Sequence, residues 1–524
     1  MFGTLEERPA RDFDDSDESL GATDVVSSER LFEHLRKSHE HRVDTHAYLA
    51  ARLFDIVVGD RDRHRDQWRW GRFSADKNAR WEPIPRDRDM PFAKFEGAGP
   101  WAIRGFAQQL VTFGSKYPPM VWLNWNAREI DRKLLVGLSR AEWDSAVREL
   151  QTQLSDSVIR AAVGQMPVPF QKLNGAELIA ALIARRERLA KAGAEFYELL
   201  AREVNVAGTD AADLAQVSRE TDGAVRVRLS TRKSSGSGAA DSGATYFDRR
   251  FLPGETHEVR VHLLGGDDRV AISGARRGDI LVRIVGGDGD DVVIDSIPNG
   301  DGALRIYDSK GKNRVESASS LSINSRPYSP PAAARAENEA RDWGSWSYVM
   351  RTVSVSPGAG LLLGVSHTRI GYAFRHEKFS TQSTLRLDAS IAERRPRLTW
   401  DGLFTQPNSR NIAGLSVVAS GIDLIRFHGL GNQTASDRAT DYYRVLQNLF
   451  RIEPTWRVPL RHHAILEFHA VGQYTSTRDS AQTLVGEMRP YGSGGFGELG
   501  VGAGVEIDRR DSPIAPSRGY RVRA

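Results

Sequence analysis

The stretch Thr384–Glu393, TLRLDASIAE, alternates without a break. Leu385, Leu387, Ala389 and Ile391 fall on one side of an extended chain, and Arg386, Asp388 and Ser390 fall on the other. HAILEFHAVGQY (463–474) repeats the pattern, with Ala464, Leu466, Phe468 and Ala470 opposite Glu467, His469 and Gln473. So does ELGVGAGVEID (498–508), where Leu499, Val501, Ala503, Val505 and Ile507 oppose Glu498, Glu506 and Asp508. Several long strands, each with one apolar and one polar face, fit a barrel with lipid outside and water inside. A soluble antiparallel sandwich would alternate as well, so periodicity alone leaves both open.

At 524 residues the chain is too long for one core, and ~100 to 200 residues per domain predicts about three units. Hydrophobic content of 40% and a mean hydropathy of -0.44 are values a soluble protein shows. No stretch approaches the ~18 apolar residues of a membrane-spanning helix. That excludes helical spans and not a barrel, because only alternate strand residues face lipid while every backbone group is paired between strands. The 72 basic and 68 acidic residues leave a net charge of +4 and form no basic stripe, which argues against a nucleic-acid partner. Cysteine is absent, so disulfides and thiolate metal sites are excluded. An envelope protein begins with a basic, apolar leader; this chain opens MFGTLEERPARDFDDSDES, so the true start is expected to lie elsewhere.

Upstream of the alternating region the chain has two further parts. Residues 1–220 read as helical with loops. Asp44 or Thr45 caps a helix whose apolar face is Tyr48, Leu49, Leu53, Ile56 and Val57, stopped at Gly59. Ser139 with Glu142, and Asn174 with Glu177, have capping-box spacing before two more helices. From Val225 short β-type runs take over, interrupted by the flexible SSGSGAADSG (234–243), and define a small β-domain over 225–322. A linker over 323–342, containing RPYSPPAAARAENEA, leads to the strands of 343–524.

Two motifs in that last part carry a resemblance. FHGLGN (427–432), followed by Asp441, Tyr442 and Tyr443, resembles a strand junction of the bacterial surface antigen family, the outer-membrane barrels of BamA/TamA type. The ending GVEIDRRDSPIAPSRGYRVRA is similar to that family's strand-turn-strand pattern D-x-R-D-x-P-x-x-P-x-x-G, through Asp508, Arg510, Asp511, Pro513, Pro516, Arg518 and Gly519. The resemblance implies an antiparallel outer-membrane β-barrel over 343–524, with outer-membrane lipid and other envelope proteins as partners and a periplasmic N-terminal region. About eight strands are legible, too few to close a cylinder, so the chain is expected to be a fragment.

LFDIVVGDRDRHRDQWRW (53–70) and WEPIPRDRDMPF (81–92) are dense in Asp, Arg and His. The run G-D-x-D-R-H-x-x-Q-W resembles the catalytic loop of atypical kinase-like folds, the spore-coat, HipA-like and secretory-pathway kinases. Asp62 and Gln67 are five apart, the offset between a kinase's catalytic Asp and its metal-binding Asn. The resemblance implies that Asp62 is the base, His64 a structural hydrogen-bonder, Gln67 a metal or loop-orienting ligand, and Asp87 or Asp89 the metal carboxylate for Mg-ATP. Gln67 stands where that family has Asn, which moves the ligand by about a bond length at a site where ~1 Å matters. The segment before the loop also lacks a glycine-rich strand pair and a lysine for phosphates, so the region reads as a mostly helical kinase-like C-lobe remnant. The plain alternative is an exposed Arg/Asp salt-bridge network with Trp68 and Trp70 packed beneath.

GGDGDDVVI (286–294) matches one nonapeptide of the calcium-binding β-roll. One copy does not build a stacked site, and the related GGDDRVAI at Gly265 lies twenty-one positions away rather than nine. Both therefore read as tight turns between strands rather than as a calcium site. His462 and His463, adjacent on a strand, point to opposite faces and share no metal. Three functions follow as expectations: an outer-membrane protein acting in envelope assembly, transport or surface display; an envelope phosphotransferase tethered to a barrel; and a calcium-dependent adhesion module around 225–320.

Overall fold

The computed structural model describes every residue except 1–20, 75, 77–78, 104–106, 233–241, 276–277, 299–301, 318–320, 329–340, 357–358, 433, 435, 461–462 and 478–480. The amino-terminal leader, most of the 234–243 segment, most of the proline-rich linker and His462 lie outside the described residues. The chain is multidomain and divides into two units, Met1–Pro327 and Tyr328–Ala524.

Helix Thr45–Val58 starts where the Asp44 carboxylate accepts the Ala47 N–H at 2.9 Å, and ends at Gly59, whose φ of 76° is left-handed. Its expected face is buried, and Tyr48, Leu49 and Leu53 are fully enclosed. Helix Arg140–Gln153 carries the complete capping box of Ser139 and Glu142. Asn174 caps nothing: the chain is already helical there, in a wider π turn over Gln171–Gly175 that runs directly into helix Ala176–Glu187. These helices share one core with Trp68, Trp70, Trp81, Trp143 and Phe196. Beside them lies a three-stranded antiparallel sheet of β1 (Asp24–Ser27), β2 (Trp68–Arg72) and β3 (Glu82–Pro85).

Strand structure begins at Glu203, ahead of the expected start at Val225. β4 (Glu203–Ala207), β8 (Glu258–His262), β10 (Leu281–Val285), β12 (Leu304–Tyr307) and β14 (Ile323–Asn324) form one parallel sheet. β5 (Asp213–Arg219), β9 (Arg269–Gly274), β11 (Val292–Asp295) and β13 (Arg314–Ser317) form a second parallel set. β6 (Val225–Arg232) and β7 (Ser242–Phe251) extend that second sheet antiparallel from β5. From β8 onward successive strands alternate between the sheets, so the domain is a two-sheeted solenoid whose coils advance by 23 and then 22 residues. Val259, Val282 and Leu304 from one sheet and Val270, Ile272 and Val293 from the other fill its interior.

The second unit is a nine-stranded antiparallel sheet in chain order: β15 (Ser345–Ser356), β16 (Gly360–Gly371), β17 (Thr381–Ser390), β18 (Arg395–Thr405), β19 (Ile412–Arg426), β20 (Arg444–Pro459), β21 (Ala464–Thr477), β22 (Gly495–Asp508) and β23 (Arg521–Arg523). Among the described residues there are nine strands rather than about eight, and the sheet does not close on itself: β15 and β23 each pair there on one side only. Register puts the expected rows on one face. Val365, Leu387, Leu398, Ala419, Phe450 and Tyr474 run across six strands as direct partners. Their sequence neighbours on the opposite face form cross-strand polar pairs, including Arg397 with Asp423, Ser416 with Asp401, Arg457 with Glu467 and Gln473 with Glu498.

Candidate functional site

The loop from Gly59 to Gln67 joins helix Thr45–Val58 to β2, and its conformation is set by buried charge. Arg52 bridges Asp55 at 3.0 Å and Asp131 at 2.9 Å, and also donates to the Asn124 side chain at 2.8 Å. Tyr48 donates its hydroxyl to Asp131 at 2.8 Å. Arg63 lies over the Trp68 ring and donates to Asp55 at 3.2 Å, to the Gln67 carbonyl at 3.1 Å and to the Arg86 carbonyl at 2.5 Å. Arg88 reaches the other Asp55 oxygen at 2.9 Å. Arg52, Asp55, Arg63 and Asp131 are all 1% exposed or less, so the network is not the exposed one the composition suggested. Charges this deep stand only when each is paired and hydrogen-bonded.

That framework places the candidate residues in two pairs. Asp62 accepts a hydrogen bond from the Asn126 amide at 2.7 Å. Gln67 donates its amide to Asp87 at 3.2 Å, because the β2–β3 hairpin folds Asp87 back beside the loop and the Arg86 N–H bonds the Gln67 carbonyl at 2.9 Å. Asp87 sits at a φ of 47°, the left-handed region an aspartate tolerates better than most residues. His64 Nδ1 accepts the Asp66 N–H at 3.3 Å and starts the short helical turn Arg65–Gln67. Asp89 is not drawn into either pair; its charge acts on Arg61. Among the described residues no group of three or more acidic or histidine side chains is placed to hold a metal ion.

Sequence reasoning missed Arg52, on the helix that leads into the loop, and two residues distant in the chain, Asn126 in the turn before helix Arg128–Leu134 and Asp131 on that helix. The signal available was the dense WLNWNAREID (122–131), where two asparagines and an aspartate sit among tryptophans. Asp60 was also missed. It is buried, its Oδ1 accepts the Asp62 N–H at 3.3 Å, and burial together with Asp55 pushes its carboxyl up to about 6.

The two Gly-Asp segments of the solenoid are consecutive turns of one stack, brought together by a coil length that a nine-residue template does not match. A side-chain ladder joins them: Asp268 accepts the Asp213 N–H at 2.7 Å, Asp291 accepts the Asp268 N–H at 3.0 Å, and Asn313 accepts the Asp291 N–H at 2.8 Å. Glycine is obligatory beside it. Gly266, Gly289 and Gly311 all have positive φ, and a Cβ on Gly289 would lie 2.1 Å from the Gly266 carbonyl.

In the second unit both resemblance motifs close tight structures. Tyr443 stacks on His428 with centroids 4.3 Å apart, and its carbonyl accepts the Phe427 N–H at 2.8 Å, drawing shut the β19–β20 junction. Between β22 and β23, Asp511 accepts from the N–H groups of Ser512 and Ser517 at 2.9 Å and of Arg518 at 3.1 Å, while Arg510 pairs with Asp508 at 2.7 Å. Compared with known protein families, curated proteins and solved structures, the chain matches none of them.

Proposed function

We propose that the second unit is part of the wall of a bacterial outer-membrane β-barrel. The carrying observation is an inversion of the usual burial. On adjacent positions of a central strand, Leu387 is 46% exposed while Asp388 is 3% exposed, and Val365, Leu385, Leu398 and Phe450 share the exposed face. A soluble sheet buries its apolar rows, whereas a sheet in lipid presents them and keeps its polar groups on the inner, hydrogen-bonded side.

Within that class the reading is an envelope protein of the surface antigen type, acting in assembly, transport or surface display. The two motif-bearing junctions support it, since Phe427 with Tyr443, and Asp511 with Ser517 and Arg518, bond within their own turns. The experiment is refolding of the full chain into detergent micelles. The reading expects β-structure that resists heating in dodecyl sulfate and migrates anomalously until boiled. A water-soluble monomer without detergent would refute it.

A second reading, phosphotransfer by the first unit, is favoured by the two polar pairs on one loop and its following hairpin. Asp62 would orient an attacking hydroxyl, with Asn126 holding its carboxylate. Asp87 and Gln67 offer oxygen donors that suit Mg²⁺, whose chemistry would be to neutralise nucleotide phosphates. Calorimetry should then show Mg·ATP binding that disappears in Asp87→Ala. Equal binding by both proteins would remove this reading and leave the barrel untouched.

A further inference from the structure

The turn that joins helix Asp156–Gly164 to helix Ala176–Glu187 belongs to neither reading. It carries Val168, Phe170 and Leu173 at 58%, 43% and 78% exposure, three large apolar side chains within six positions. A single exposed apolar side chain is ordinary, whereas a group of them marks a contact surface. The helices on either side have their own core residues in Ile159, Val163, Leu178 and Leu182, all buried. The turn is also held in shape. Pro167 and Pro169 restrict their own φ, and the Phe170 N–H bonds the Pro167 carbonyl at 2.9 Å. The Gln171 amide donates to the carbonyls of Gly164 at 2.8 Å and Met166 at 2.5 Å, tying the turn to the end of the first helix. A bonded scaffold therefore presents these apolar side chains to the outside.

Charge selects what the surface fits. From Ser157 to Ala176 the chain has two basic residues, Arg160 and Lys172, and no acidic one. Both are exposed. The carboxylates at either end of that segment are already matched, Asp156 with Arg186 at 2.6 Å and Glu177 with Lys94 at 2.7 Å. An apolar tip flanked by net positive charge is complementary to a negatively charged lipid surface, where oily side chains enter the headgroup boundary and cations meet phosphates. We propose that Val168, Phe170 and Leu173 dip into an anionic bilayer surface, with Arg160 and Lys172 on its headgroup phosphates. From the barrel reading this takes only the presence of a bilayer around the same chain. Three side chains bind weakly by themselves, and a barrel in the same chain makes the contact intramolecular and raises its occupancy.

The chain has no cysteine, so a single label can be placed at any chosen position. The experiment reconstitutes full-length Leu173→Cys, carrying an environment-sensitive fluorophore, in vesicles of phosphatidylcholine with and without phosphatidylglycerol. In anionic vesicles the label is expected to shift to the blue and to be quenched by lipid spin-labelled at headgroup depth, at least twofold more than in phosphatidylcholine alone. Arg160→Glu with Lys172→Glu is expected to remove that difference. Labelled Lys191→Cys, at an exposed position on another helix, is the reference for water, and labelled Leu387→Cys reports the barrel. A Leu173→Cys label that behaves like the Lys191→Cys label, while the Leu387→Cys label is quenched, would overturn the proposal and leave the barrel standing. Quenching at Leu173→Cys without quenching at Leu387→Cys would support the lipid contact and refute the barrel. A blue shift that ignores anionic lipid and grows with protein concentration would overturn the assignment to lipid in favour of a second copy of the chain.

Discussion

The Asn126 amide donates to the Asp62 carboxylate across 2.7 Å, although 64 residues separate them in the chain. The bond ties the loop after helix Thr45–Val58 to the segment before helix Arg128–Leu134, and makes the orientation of Asp62 a property of the tertiary fold. Asn126→Ala should cost ~1 to 2 kcal/mol, the usual effect of removing a donor from a charged acceptor. Asn126→Asp should cost more, by setting two carboxylates together. Combining Asn126→Asp with Asp62→Asn restores one amide and one carboxylate and should recover most of the loss. Thermal unfolding read by tryptophan fluorescence checks it, and additive effects in the double variant would show that the pair is not coupled.

Arg52 holds two carboxylates that have no access to water. Replacing it with Met keeps much of the volume but leaves Asp131 without its buried cation, while Asp55 keeps Arg63 and Arg88, for an expected loss of about 3 kcal/mol. Replacing Lys191, whose side chain is 84% exposed and lies 3.9 Å from Glu195, should change stability by less than about 0.5 kcal/mol. Comparable losses at the two positions would mean that the buried network does not hold the first unit together.

Asp60 sets a pH dependence. Burial and the neighbouring Asp55 raise its carboxyl from 3.8 to about 6 in the fold. The native state therefore holds this proton more tightly than the unfolded chain, so its contribution to unfolding free energy falls as pH rises from about 4 to about 6, then levels off. The expected slope is on the order of 1 kcal/mol per pH unit in that window. Asp60→Asn keeps an acceptor for the Asp62 N–H and should lack this slope. Matching profiles for the two proteins would remove Asp60 as the source.

Leu387 separates a lipid-facing sheet from a water-facing one. On a surface in water, an arginine at this already exposed position would change stability by about 0.5 kcal/mol or less. In lipid, Leu387→Arg should cost ~2 to 4 kcal/mol if the position lies near the bilayer midplane. The comparison is urea-driven unfolding of the full chain in lipid vesicles, with Arg386→Ala on the polar face as the control. A neutral Leu387→Arg would count against the membrane assignment.

Local rules were legible wherever a residue acts on its chain neighbours. The Asp44 cap, the Gly59 stop, the Ser139 box and the alternation of Leu385 through Ser390 all follow from periods and bonds within a few positions, so they survived folding unchanged. The Asn174 cap failed because its neighbours were already helical, and side-chain capping matters only where backbone donors are free. The stacking of the two Gly-Asp turns was not legible for a different reason. Stacking partners lie 22 and 23 residues apart, a distance at which a nine-residue template sees two unrelated turns.

The sequence by itself determined which strand faces are apolar, where the main helices begin and end, and which turns demand glycine, because backbone geometry imposes those choices locally. Only the tertiary structure decided that Asp62 meets Asn126, that Gln67 meets Asp87, that the Arg/Asp cluster is buried, and that the apolar rows of the last sheet are left uncovered. Those outcomes depend on which distant segments come to share a space, and the free energy of a charge or an oily surface is set by what surrounds it.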